Sequence, residues 1–382
     1  MPWKETGRVF ERVRFIVDYL SGCFTISELA ARYGVSRKTL YKWLARHDRD
    51  GLAGLNDRPR IAATIPQRTA AEVAHEIVAF KRRFPFMGPK KIIARLCELH
   101  PEIVWPAPST AGELLAREGL VRRRKRRRPP VHPIRTRTRA EESNEVMTID
   151  FKGHFRLGNA KYCYPLTIVD SFSRYILACD ALVLPDFEQT RRVFERVFRS
   201  YGLPQRILSD NGSPFASPGL ARLSKLSMWW VRLGIGIERI VPGRPEQNGA
   251  HERMHLTLKE QTTRPPARDH RRQQLVFDHF RQEYNEDRPH EALEQRRPAS
   301  IYRPSPRPYP ESLPAVTYPG HFETRRVAQN GLMRWKDDRI FVSKTLVGET
   351  IGLEEVEDGI WSVYYGEVLL ARFDERERRF YG

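Results

Sequence analysis

Three carboxylates in this chain of 382 residues stand where acidic side chains could share one site. The segment Val146-Met-Thr-Ile-Asp150-Phe151 reads as a buried strand that delivers Asp150 at its end. A second apolar run, Arg206-Ile-Leu-Ser209, leads straight into Asp210 and the turn dipeptide Asn211-Gly212. Glu252 lies in Gly249-Ala-His-Glu-Arg-Met-His255, where a Pro/Gly-rich loop gives way to a helical pattern. Two strand ends and one helix can therefore converge on one spot. Carboxylates packed together repel and raise one another's pKa unless a cation sits between them, and all-oxygen ligands select hard ions such as Mg²⁺ or Mn²⁺. Two such ions roughly 3.5–4 Å apart can clamp the attacking and leaving oxygens of an in-line phosphoryl displacement. Taken singly, each acid reads as well as a solvated side chain, and Asp210-Asn211-Gly212 as an ordinary turn.

The surrounding words narrow the choice. Thr148-Ile-Asp150-Phe-Lys-Gly153, Ile168-Val-Asp-Ser-Phe-Ser-Arg-Tyr175, Ser209-Asp-Asn-Gly212, Asn248-Gly-Ala-His-Glu252-Arg253 and Tyr284-Asn-Glu-Asp-Arg-Pro-His-Glu-Ala-Leu293 follow one another in order. In these motifs the sequence resembles insertion-sequence transposases of the retroviral-integrase-like type. That resemblance implies a ribonuclease H-like core whose Asp-Asp-Glu triad is Asp150, Asp210 and Glu252, both catalytic and metal-binding, with two Mg²⁺ or Mn²⁺ ions per active site. One departure concerns spacing. Glu252 follows Asp210 by 42 positions (252 − 210), whereas the shorter spacing common in the family falls on Glu246. Glu252 is preferred because it opens the helix and continues into Arg253-Met254-His255, while Glu246 follows Pro245 in a loop. A helix through Leu220–Leu233 would absorb the extra residues. Asp170 is expected to start a hairpin turn and takes no metal role. Asn211 and His251 could lie near substrate or be structural.

Bulk composition agrees with a polyanionic partner. Lys and Arg number 66 against 47 Asp and Glu, a net charge of +19. The densest run is Arg122, Arg123, Arg124, Lys125, Arg126, Arg127 and Arg128, read as a linker that tracks the DNA backbone. It lacks the interleaved apolar residues of an interfacial helix. No stretch approaches the ~18 apolar residues that span a bilayer, and the polar N-terminus lacks a secretory apolar segment, so a cytoplasmic, nucleoid-associated location is expected. Cys23, Cys97, Cys163 and Cys179 show no zinc-ligand spacing.

Around these acids the chain reads as multidomain: N-terminal all-α helix-turn-helix domains, a central α/β ribonuclease H-like core and a C-terminal small antiparallel β barrel. Residues 1–50 form the first unit, with Val9, Phe10, Val13, Ile16, Val17 and Leu20 at helical spacing, then a Thr25/Glu28 capping box, a Gly34 turn and a Ser36 cap. Arg37, Lys38, Thr39, Tyr41 and Lys42 would project from the recognition helix toward a major groove. Residues 66–121 repeat the theme as a second helix-turn-helix-like domain, 122–142 are the basic linker, and 143–301 alternate strands and helices as such a core requires. Residues 320–382 carry short strands with turn dipeptides such as Asn330-Gly331 and Asp358-Gly359.

The expected function is a DNA transposase. It would bind the terminal inverted repeats of an insertion sequence, cut a strand in a metal-dependent step and join the freed 3′-OH to target DNA, acting as a homo-oligomer on double-stranded DNA with no membrane and no small-molecule substrate. The alternatives are a catalytically idle DNA-binding regulator and a metal-dependent nuclease that cuts without joining.

Overall fold

The computed structural model describes residues 7–57, 69–121, 140–240 and 249–381. The chain divides into two compact units, Met1–Thr69 and Ala70–Gly382.

In the first unit α1 (Arg8–Leu20), α2 (Ile26–Tyr33) and α3 (Arg37–Asp50) precede a 3₁₀ turn at Gly51–Leu55. Thr25 and Glu28 cap α2 reciprocally, and Gly34 ends it in the left-handed region at φ 61°, a conformation glycine adopts without steric cost. The Ser36 hydroxyl accepts from the Thr39 N–H and starts α3. Phe15, Ile16, Leu29, Leu40, Trp43, Leu44 and Leu55 form the core. Only part of the apolar set expected on α1 is buried: Ile16 is covered and Val13 packs on the core, joined by Phe15, while Phe10, Val17 and Leu20 are 56%, 61% and 68% exposed. The cause is tertiary. The Arg12 guanidinium lies 3.7 Å from the centroid of the Trp43 ring and donates to the Leu55 carbonyl, so α3 and the 3₁₀ turn cover only that side of α1.

The second unit begins with α4 (Ala71–Arg83), α5 (Pro89–Leu99) and α6 (Pro108–Arg117). Pro89 and Pro108 occupy first-turn positions, where a missing N–H costs nothing. Ile77, Phe80, Ile92, Leu96, Ala111 and Leu115 close a core of their own.

A layered α/β body follows. Its elements are β1 (Val146–Phe151), β2 (Phe155–Arg156), β3 (Tyr162–Asp170), β4 (Ile176–Leu182), α7 (Phe187–Tyr201), β5 (Arg206–Ser209), α8 (Lys225–Arg232), β6 (Gly236–Arg239), α9 (Gly249–Thr262), α10 (His270–Gln282) and the short α11 (Pro298–Ile301). β3 pairs antiparallel with β1, β2 and β4, while β5 runs parallel to both β1 and β6. Side chains alternate across β3. Leu166 and Ile168 enter one core with Phe194 and Phe198 of α7 and Trp229 and Trp230 of α8. Cys163 and Val169 enter the other, with Met254 and Leu258 of α9 and Phe277 and Phe280 of α10. Apolar packing on both faces makes the sheet a rigid platform. The single helix expected over Leu220–Leu233 is broken: Ala221 and Arg222 take φ of 47° and 52°, and Ser224 caps a new helix, α8.

The C-terminal strands are β7 (Glu323–Arg326), β8 (Leu332–Trp335), β9 (Asp338–Phe341), β10 (Thr350–Glu357), β11 (Ile360–Tyr365), β12 (Val368–Asp374) and β13 (Arg379–Tyr381). They do not close the expected barrel. β13-β12-β11-β10-β7 is an open antiparallel sheet, and β8 and β9 pair only with each other. Closure is unnecessary because the shared core is sealed by Leu223 and Met228 from the α/β body, packed with Met333, Trp335, Leu353 and Phe373. Trp335 and Trp361 are buried there, their rings 4.9 Å apart.

Candidate active site

Strand register sets two of the acids side by side. β1 and β5 run parallel with Thr148 opposite Leu208, so two residues further along each chain come Asp150 and Asp210, on the same face by the two-residue period. Asp210 Oδ1 accepts from the Gly212 N–H at 3.1 Å, and Asn211 Nδ2 donates to the Ile240 carbonyl at 2.7 Å, which ties the turn to the end of β6. Asn211 thus has a structural task. Glu252 comes from the first turn of α9. His251, Met254, His255, Leu258 and Thr262 form the buried stripe of that helix, and Glu252 and Arg253 are exposed beside it.

A cavity of about 610 Å³ lies between β1 and α9, with Asp150, Lys152, Glu252, Arg253 and His255 in its lining. Burial first, then the neighbouring charges of Asp210 and Glu252, push the Asp150 carboxyl up to about 7; Lys152 and the Phe151 N–H pull the other way without compensating. Asp210 and Glu252 therefore both act on Asp150. An oxygen-only donor set fits hard divalent cations, and Asp150, Asp210 and Glu252 are the residues that could hold them. Among the described residues no three His, Cys, Asp or Glu side chains converge closely enough to grip one ion together.

Behind the acids is a polar network that sequence reading missed. Thr167 Oγ1 lies 2.6 Å from His251 Nε2 and 2.7 Å from His255 Nε2, and His251 Nδ1 lies 2.9 Å from Thr148 Oγ1. Thr148 also donates to the Val169 carbonyl and Thr167 to that of Asp150. All four side chains are buried, and buried polar groups persist only when paired. The network stitches α9 to β1 and β3. His255 Nδ1 reaches to 3.7 Å of Asp150 Oδ2, yet burial, with His251 and Lys152 adding to it, lowers its pKa to about 2, so the ring is neutral and the contact is no ion pair. The signal was present in the sequence: two His four residues apart share one helix face.

Asp170 is fully buried; it accepts from the N–H groups of Asn144 and Ser173 and the Ser173 hydroxyl, and so shapes a turn as expected. Arg37, Lys38, Tyr41 and Lys42 are exposed on α3, and the Thr39 hydroxyl lies 3.0 Å from that of Ser36. The basic run Arg122–Arg128 and the alternative acid Glu246 lie outside the described residues. No helix among those residues is long and apolar enough to cross a membrane.

Comparison with known proteins identifies the class of this α/β body. Integrase core domain models match residues 140–245 and 233–298, a helix-turn-helix domain matches 11–61, a homeodomain-like domain matches 39–115, and the C-terminal domain of IS481 family transposases matches 322–380. A 31.7 kDa protein of insertion element IS407 from Burkholderia multivorans is 30% identical over 232 residues, covering 58% of this chain and 75% of its relative. The chain belongs to the insertion-sequence DDE transposases of the integrase-like type. Viral proteins are similar over a shorter stretch. The Gag-Pol polyprotein of baboon endogenous virus is 34% identical over 138 residues and the Pol polyprotein of feline endogenous virus ECE1 likewise, but the chain spans only 7% and 12% of their lengths. Among solved structures, a simian T-cell lymphotropic virus intasome in complex with PP2A regulatory subunit B56 gamma aligns over 75% of this chain and 96% of its own, at 17% identity and a TM-score of 0.38. The HTLV-2 integrase catalytic core in complex with magnesium aligns over 43% of this chain and 100% of its own, at 14% identity and a TM-score of 0.34.

Proposed function

We propose that this chain is an active DNA transposase: it binds the terminal inverted repeats of its insertion sequence, cleaves a strand at the element end and transfers the 3′-OH to target DNA, working as a homo-oligomer. The observation that carries this reading is the buried Asp150 carboxyl, raised to about 7 by desolvation and by the charges of Asp210 and Glu252. An acid cluster of that kind destabilises a protein that has no use for it. Asp150, Asp210 and Glu252 would hold two Mg²⁺ or Mn²⁺ ions. When bound, such ions supply Lewis-acid stabilisation of the attacking and leaving oxygens of a phosphodiester.

The chain's own groups do the rest. The neutral imidazole of His255 stays beside Asp150 without cancelling its charge, and the Thr148–His251–Thr167 network holds the first turn of α9 so that Glu252 faces the cavity. Lys152 and Arg253 at its rim offer positive charge to the phosphates of an entering strand. Residues Arg37, Lys38, Thr39, Tyr41 and Lys42 of α3 would read the element end, and the run Arg122–Arg128 would follow the backbone.

Purified protein given labelled element-end DNA and a target plasmid tests this, with Mg²⁺, with chelator, and as Asp210→Asn. Joined products that need both metal and Asp210 are the expected result. Cutting without joining would indicate a nuclease, and specific binding with neither would indicate a regulator.

A further inference from the structure

The strongest unassigned feature is a crowd of cations where α5 of the second helical module meets the segment that follows α10. Three ion pairs dock them: Lys90 Nζ to Glu291 at 2.7 Å, Arg95 Nη2 to Asp287 at 3.3 Å, and Arg297 Nη2 to Glu98 at 2.5 Å. Lys91, on the first turn of α5, is mostly buried at this junction. Its charged neighbours are Arg288, Arg253 and one acid, Glu291, which Lys90 already engages. Neither Lys91 nor the Arg253 guanidinium makes an ion pair or hydrogen bond with a described side chain. Arg288 is offset in part by Glu283 and Glu260, but its Nη1 is buried with no hydrogen-bond partner among the described residues, as is Nε2 of His290 beside it. Burial, then Arg288 and Arg253, lowers Lys91 to about 7, and burial, then Lys91, Arg288 and Arg174, lowers His290 to about 3. The neutral His290 ring spends its proton on the Tyr284 carbonyl, so the unpaired donor is the Arg288 guanidinium, and such a donor beside unneutralised cations is costly unless an anion completes it. Arg253 also lines the acid cavity next to Glu252, so the anion would sit at its edge.

We propose that Lys91, Arg253 and Arg288 form a binding site for a backbone phosphate of DNA, through which the second helical module, in cis, anchors the strand entering the acid-lined cavity. This deepens the transposase reading and rests on it. The site lies beside Arg253 of α9, and its ligand is a phosphodiester held by lysine and arginine donors rather than by metal.

The test is binding of a random-sequence DNA duplex in chelator across a salt series, which needs no catalysis. Each phosphate contact contributes about 0.9 to the slope of log affinity against log salt. Lys91→Met should reduce that slope by about 0.9, so its deficit against wild type shrinks about 3.5-fold between roughly 0.05 and 0.2 M salt, while its thermal midpoint stays level or rises because a buried charge is gone. Arg253 is exposed, so Arg253→Gln keeps the fold and should show the same slope change. Lys161→Met, an exposed lysine in the turn before β3, controls for net charge. The inference is overturned if Lys91→Met and Arg253→Gln keep the wild-type slope, or if Lys161→Met lowers it equally. It is also overturned if inorganic phosphate raises the wild-type melting temperature but not that of Lys91→Met while the DNA slopes coincide, which would make the site one for free phosphate. Wild-type protein that binds no duplex at all would instead refute the transposase reading.

Discussion

Replacing Asp150 by Asn should abolish catalysis and stabilise the metal-free protein at the same time. Its carboxyl moves from an ordinary 3.8 to about 7 on folding, which at roughly 1.4 kcal/mol per pKa unit corresponds to about 4 kcal/mol. The side chain is 21% exposed at the cavity wall, and solvent there relaxes part of the strain, so about 1–4 kcal/mol is the expected range. The sign follows from linkage. A carboxyl whose folded pKa is raised binds more protons folded than unfolded between about pH 4 and pH 7, so wild-type stability declines across that window and levels off above it. Asp150→Asn carries no such proton, so its advantage should be absent near pH 4 and full by about pH 8. Thermal melting in chelator at both pH values measures this; for a unit of this size about 2 °C per kcal/mol is expected, hence a shift of about 2–8 °C at pH 8. Mg²⁺ at a hundred times its dissociation constant should add about 2.7 kcal/mol to wild type and much less to the variant. If Asp150→Asn melts at or below wild type at pH 8 in chelator, with the same pH profile, the acids are not mutually strained and the argument for a cation site fails.

Other perturbations probe the scaffold and the DNA contacts. Thr167→Val removes the hydroxyl that reaches both imidazoles at 2.6 and 2.7 Å; urea unfolding should show a loss of about 2–4 kcal/mol, largely restored in Thr167→Ser, and equal stability of the Val and Ser variants would deny the network a role. Trp230→Ala empties a fully buried site between α7 and α8, with an expected cost of about 3–5 kcal/mol in the same assay; a loss under about 1 kcal/mol would mean that α8 is not anchored there. Lys38→Ala with Lys42→Ala should leave the melting temperature unchanged, because both side chains are exposed on α3, but weaken binding to element-end DNA; unaltered affinity would move the reading surface off α3.

Much of the site was legible because it is written in local pattern. Apolar runs of strand length ending in Asp150 and Asp210 became β1 and β5, and the Thr25, Gly34 and Ser36 signals placed α2 and α3, since caps and period act over a few residues. Other features resisted for the same reason. The apolar spacing of α1 could not say that Arg12 would lie on Trp43 and leave Phe10, Val17 and Leu20 outside. A helix pattern over Leu220–Leu233 hid the left-handed turn at Ala221 and Arg222, and turn dipeptides in the C-terminal strands could not distinguish a closed barrel from an open sheet sealed by Leu223 and Met228.

What the sequence determined by itself is the inventory: which acids end strands, which helices are capped, how much positive charge the chain carries and which family its ordered motifs resemble. Tertiary structure alone decided which of these groups meet. Thr167 and His251 are 84 residues apart along the chain, and Lys90 and Glu291 are 201; no local rule brings such residues together. Packing of helices on both faces of the sheet does so, and the same packing removes water from Asp150, His255 and Lys91. Desolvation turns ordinary side chains into a strained acid, a neutral imidazole and a cation in search of a phosphate.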